Sequence, residues 1–115
     1  MALEIMQTLD IIEVMENFLF KRRPPEELRS QADVAYKIED QSVIVYEIRP
    51  KWNNPKEMTE LPIAKITYVI KRHEWIFYYK RSDLRWHIYH ANPFIKTIKE
   101  FAYLVNEDKH HCFWG

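Results

Sequence analysis

From Asp33 onward the apolar residues recur every second position, while the segments on either side follow a helical period. That switch sets what this chain can fold into. Val34, Tyr36 and Ile38 alternate with Asp33, Lys37 and Glu39, and Glu39-Asp40-Gln41-Ser42 reads as a turn into a second strand, Val43 to Ile48. A third strand is expected from Ile63 to Ile70, a fourth from Trp75 to Lys80 and a fifth from Leu84 to His90. Lys71-Arg72-His73-Glu74 and Arg81-Ser82-Asp83 supply the turns between these three. Pro50 to Pro62, with Asn53-Asn54-Pro55 inside it, reads as a loop. Short turns elsewhere make an antiparallel meander the simplest topology.

Before the strands, Ile5, Leu9, Ile12, Met15 and Leu19 follow helical spacing, with Glu4, Asp10, Glu13 and Glu16 elsewhere around the wheel. This predicts an amphipathic helix from about Leu3 to Phe20, closed by Lys21-Arg22-Arg23 and stopped at Pro24-Pro25. Glu26 to Ser30 can form a short helical turn. After the strands, Asn92-Pro93 has the form of a helix start, and Ile95, Ile98, Ala102 and Val105 give an apolar face widened by Phe94 and Phe101. The fold expected over residues 1–115 is one α+β domain, a twisted, mainly antiparallel five-stranded sheet with an N-terminal and a C-terminal helix. Phe113 and Trp114 are expected to dock onto that fold, because two large rings left in water would invite association.

Composition narrows the function classes. Hydrophobic residues make up 47% of the chain and glycine occurs once, which argues against disorder and leaves no glycine-rich phosphate loop. Seventeen basic residues balance seventeen acidic ones, so a general affinity for nucleic acid or an anionic membrane is not expected. Cys112 is the single cysteine, so neither an internal disulfide nor a Cys-x-x-Cys site can form. With no signal-like segment and no long apolar run, a cytoplasmic location is the default expectation.

Several segments together resemble a small bacterial family known only as a domain of unknown function, number 3024. They are Arg23-Pro24-Pro25, Tyr46-Glu47-Ile48-Arg49-Pro50-Lys51-Trp52, and Thr59 with Pro62-Ile63-Ala64. Trp75-Ile76-Phe77-Tyr78-Tyr79, Leu84-Arg85-Trp86-His87-Ile88-Tyr89 and the closing Phe113-Trp114-Gly115 complete the set. The chain departs from the family's pattern at Lys51, where relatives often have a second proline, and at His73-Glu74, which replaces a glycine-bearing turn. The resemblance implies a compact bacterial domain and no particular activity.

The candidate site residues are Glu47, Arg49, Trp52, Arg85, His87 and Tyr89. Alternation puts Glu47 and Arg49 on the same face as Val43 and Val45, where charges are costly unless paired. Arg49 is then either a staple on Glu47, with Trp52 packed over the core end, or an anion clamp with Trp52 as its wall. In the second cluster Trp86 and Ile88 are expected to face the helices, leaving Arg85, His87 and Tyr89 on the open face. Joined to Glu47 and Arg49, they would make a patch for anion binding or proton transfer. The leading function is a small binding or interaction module taking an anionic small molecule or peptide. The alternatives are an enzyme using Glu47 or His87 as acid/base beside Arg49, and a single-strand nucleic-acid binder stacking bases on Trp75, Phe77 and Tyr79. No cofactor is called for: His110-His111-Cys112 lacks the usual metal spacings, and Asp33 with Glu47-Ile48-Arg49 has arginine where metal-dependent nucleases want lysine.

Overall fold

The structure, a computed structural model, describes residues 3–114. In chain order it contains α1 (Ile5–Arg22), a single 3₁₀ turn (Glu26–Leu28), β1 (Asp33–Glu39), β2 (Ser42–Lys51), β3 (Asn54–Val69), a second 3₁₀ turn (Ile70–Arg72), β4 (Glu74–Lys80), β5 (Trp86–Ile88), β6 (Phe94–Ile95) and α2 (Ile98–Glu107). The sheet is an antiparallel meander in the order β1-β2-β3-β4-β5, with β6 also pairing β4. This is an α+β fold with one helix from each end of the chain, as the change of period predicts. Among the described residues no helix is long and apolar enough to cross a membrane.

Pro50 to Pro62 is not a loop. β2 and β3 continue through it as a two-stranded ribbon, with Arg49 opposite Thr59, Pro50 opposite Met58 and Lys51 opposite Asn54. Proline is tolerated here because each sits where a missing N–H does little harm. Pro50 lies past the end of β1, whose first residue pairs Ile48, and Pro62 lies at the bulge between Val45 and Tyr46. That bulge adds one residue to β3, so Ile63 and Ala64 both enter the core.

The fifth expected strand, Leu84 to His90, is shortened. Its middle survives as β5, pairing Tyr78–Lys80, while β6 takes the other half of the same β4 edge at Trp75 and Ile76. Phe77 bridges the gap, donating its N–H to the Pro93 carbonyl at 3.0 Å and accepting from Tyr89 at 2.8 Å. Asn92-Pro93 therefore belongs to this arch rather than to a helix start. α2 begins later, at Thr97, whose Oγ1 accepts the Glu100 N–H at 3.2 Å.

Both helices pack on one face of the sheet. Ile11, Met15 and Phe18 of α1 and Ile98, Phe101 and Val105 of α2 cover Val43, Val45, Ile66, Trp75 and Phe77. The buried face of α1 is rotated from the expected stripe: Met15 is in the core, but Ile5, Leu9 and Ile12 remain exposed. The tail docks as expected. Phe113 is buried with its ring stacked on Phe77, 5.5 Å between centroids and 4° between planes. Asp108, in the left-handed conformation (φ 44°) at the end of α2, holds this segment. Its carboxylate accepts the backbone N–H groups of Cys112 (2.7 Å), Phe113 (3.1 Å) and Trp114 (2.9 Å). The Trp114 indole donates to the Val105 carbonyl at 2.7 Å, and the Arg22 guanidinium lies 4.0 Å from its ring centre.

Candidate functional site

Glu47 and Arg49 share the helix-side face of β2, as alternation requires. Both Nε and Nη2 of Arg49 donate to Glu47 Oε2, at 2.9 and 2.6 Å. The acid side chain is 15% exposed and the arginine side chain 52%, so the pair stands at the base of the ribbon with one half in water. Trp52 does not pack over the core end. It sits at the ribbon tip, 94% exposed, because the continuing β2–β3 pairing carries it away from the core. Solvent screening of the guanidinium makes Arg49 a weak staple. Arg49→Ala is expected to cost no more than about 1 kcal/mol in urea unfolding, well short of the large loss that a buried ion pair would show.

The second cluster takes the opposite orientation to the one expected. β5 pairs Tyr79 with His87 and Lys80 with Trp86, so His87 shares the helix-side face with Tyr79, and Trp86 and Ile88 point away from the helices. The cause is the tight return at Arg81–Arg85, where Leu84 adopts φ 61° and sets the parity of the strand. Tyr89 is consequently buried against Phe77 and Phe113. His87 Nε2 lies 2.9 Å from Asp83 Oδ2, and Arg85 stays in the turn, its N–H donating to Asp83 Oδ1 at 2.9 Å. These two contacts, the Arg85 N–H first, hold the Asp83 carboxyl below its ordinary range. Glu47 and Arg49 do share a face with His87 and Tyr89, but β3 and β4 lie between them. Three strand spacings separate β2 from β5, roughly 14 Å, so the four groups do not converge.

Phe77 and Trp75 are core residues, which leaves Tyr78 and its partners on the uncovered face. Register aligns Lys65 of β3, Tyr78 of β4 and Ile88 of β5 in one row across the sheet, and sets Lys80 beside Trp86 in the next. Lys65 Nζ stands 4.8 Å from the ring centres of both Tyr78 and Trp86, and Lys80 Nζ stands 5.3 Å from Trp86. Burial, and then repulsion from Lys80, push the Lys65 ammonium below its ordinary pKa, against a smaller opposing pull from Glu39. Among the described residues no carboxylate lies within 4.0 Å of either lysine. Three flanking cations on this face are matched. Lys37, over Tyr46, reaches Glu39 and Glu60, while Arg72, over Phe94, shares Glu74 with Lys96.

This four-residue group escaped the sequence reading, which weighed the aromatics of the other parity. The signal was present: once Phe77 is assigned to the core, Tyr78 and Lys80 must point outward together. Two other features carry less. A groove of about 560 Å³ between α1 and α2 sets Lys21 and Lys99 against Glu13, with the amides of Asn17 and Asn106 beside them, so its charge is mixed. Among the described residues no group of three or more His, Cys, Asp or Glu is placed to hold a metal ion; Cys112 and His110 lie in the tail around Asp108.

A family model described as a domain of unknown function, DUF3024, matches residues 4–115. The chain belongs to that family. The match runs from the start of α1 to the docked tail, so both faces of the sheet are part of the DUF3024 unit. No curated protein matches the chain, and no solved structure does.

Proposed function

We propose that this DUF3024 protein is a binding module that takes an anionic ligand bearing a planar ring on the uncovered face of its sheet. Lys65 and Lys80 meet the anion, and Trp86 and Tyr78 meet the ring. The observation that carries this reading is the pair of lysines held together against aromatic rings without a carboxylate partner. Two like charges kept close cost free energy, and an arriving anion relieves that repulsion. The rings add stacking surface that tolerates any planar group. A small ligand or short anionic segment fits better than a long strand. The flanking cations Lys37, Arg72 and Lys96 are already matched by Glu39, Glu60 and Glu74, so an extended phosphate path would meet carboxylates.

The test is titration of isotope-labelled protein with a nucleoside monophosphate and, separately, with inorganic phosphate, followed by amide and indole shifts. Saturable shifts at Lys65, Tyr78, Lys80 and the Trp86 indole are expected with the nucleotide, weaker ones with phosphate alone. Lys65→Glu with Lys80→Glu should weaken binding at least about tenfold, a change of about 1.4 kcal/mol. Shifts confined to Arg49 and Trp52, or to the α1–α2 groove, would sink the reading.

A further inference from the structure

We propose that Lys65 is a nucleophilic amine, and that the uncovered face takes a ring-bearing anion carrying an aldehyde or ketone, which Lys65 captures as an imine. This inference rests on the ligand reading above and adds the bond that holds the ligand. A lysine becomes a nucleophile where its ammonium is poorly supported, because only the neutral amine has a lone pair to give. Lys65 lies on the central strand, and the row it occupies across the sheet, Ile44, Tyr78 and Ile88, brings no charge to it. Ile44 is only 8% exposed although no helix covers it, so neighbouring side chains already shield this part of the face from water. The Tyr78 and Trp86 rings complete the surroundings, each 4.8 Å from Nζ.

Two charged groups act on this amine. Lys80 of β4 repels the ammonium, and Glu39 at the end of β1, whose ion pair is with Lys37, attracts it more weakly. Burial and Lys80 prevail, which leaves Lys65 easier to deprotonate than an ordinary lysine. The rings do not undo this. Their faces favour a cation, but a protonated imine is a cation as well, so that attraction supports reactant and product alike. The product is also flat and conjugated, and Trp86 and Tyr78 give it a surface to stack on. Seating the anion on Lys80 offsets part of the repulsion, while burial, the larger cause, deepens once a ring covers the site.

The step balances without another reagent. The Lys65 ammonium first releases a proton to water. Its lone pair forms the N–C bond as the carbonyl π pair moves onto oxygen. That oxygen collects one proton from nitrogen and one from water, replacing the proton first released. The C–O bond then breaks, water leaves, and the nitrogen lone pair closes a protonated C=N bond. One ammonium and one carbonyl thus give one iminium and one water, with no change of oxidation state.

The test uses pyridoxal 5′-phosphate, an anion with a planar ring and an aldehyde, beside its alcohol analogue pyridoxine 5′-phosphate, which cannot form an imine. Borohydride fixes the imine as a secondary amine, and peptide mass spectrometry locates it. Lys71 and Lys109, both exposed, serve as references within the same chain. At neutral pH Lys65 is expected to be labelled at least about tenfold faster than either, since the site holds the aldehyde beside it. Its labelling should also reach half its maximum rate at a lower pH than theirs. Lys80→Met should slow it about two- to fivefold, as the grip on the anion is lost. Lys65→Arg, checked for folding by circular dichroism, should end labelling at this site yet leave the alcohol analogue's shifts at Tyr78 and the Trp86 indole in place. If those shifts appear while Lys65 is labelled no faster than Lys71 and Lys109, or while the label falls on Lys80 instead, the imine is wrong and the binding reading stands. If the parent protein shows neither shifts nor preferential label, both fall.

Discussion

Phe77→Ala is expected to lower the free energy of unfolding by about 3–5 kcal/mol, a large share of what a domain of this size has. Phe77 is fully buried at the middle of β4. Its ring packs edge-on against Phe101 of α2 at 5.2 Å, against Tyr89 at 4.9 Å and flat on Phe113 at 5.5 Å. Truncation opens a cavity between three rings that arrive from different parts of the chain and are held by their own backbones, so the site cannot collapse to fill it. Tyr78→Ala, one residue away but on the uncovered face, removes a ring that contacts Lys65 and should cost only about 1 kcal/mol. Urea unfolding of the two variants side by side checks this. Equal losses would mean that the helix-side face is not where the stability lies.

Asp108→Ala is expected to cost roughly 3 kcal/mol or more, although it removes a single small side chain. Three backbone N–H groups converge on that carboxylate, and Phe113, whose N–H is one of them, is buried where water cannot replace the lost partner. The residue also holds φ 44°, which aspartate tolerates better than alanine. Asp108→Asn keeps one acceptor oxygen and the backbone preference, so it should fall between alanine and the parent. Trp114 supplies an internal probe: release of the tail frees its indole from Val105 and Arg22, and its emission should move to the red. An unchanged unfolding midpoint in the alanine variant, with the Trp114 signal in place, would show that the tail is held by its rings alone.

Much of this architecture was legible in the residues, and the failures have definite causes. The helices and the meander follow from the change of period, because that signal is local. Strand parity is not local. Trp86-His87-Ile88 offers large rings or aliphatics on both faces, and only the return at Leu84 decides which face meets the core. The Pro50–Pro62 ribbon was hidden because prolines normally end strands, and these sit at an unpaired edge and a bulge that exist only once β1 and β3 are in place. On α1, Ile5, Leu9 and Ile12 match a core stripe as well as Ile11, Met15 and Phe18 do, and the sheet selected the second set. The site followed the same logic. Glu47 and Arg49 pair as alternation suggested, whereas Lys65, Tyr78, Lys80 and Trp86 come together only through register across three strands.

The stacking of Phe113 on Phe77 also bears on how the protein is made. A ribosome delivers α1 first and the five central strands next, but the ring faces of Phe77 stay open until Phe101 and Phe113 have emerged. At ordinary elongation rates the stretch from Phe77 to Phe113 takes roughly two to seven seconds to synthesise. Throughout that interval the nascent chain carries a sheet with an uncovered aromatic centre, long after its local hairpins can form. The packing around Phe77 thus closes only after the Asp108 latch has emerged to hold Phe113 in place.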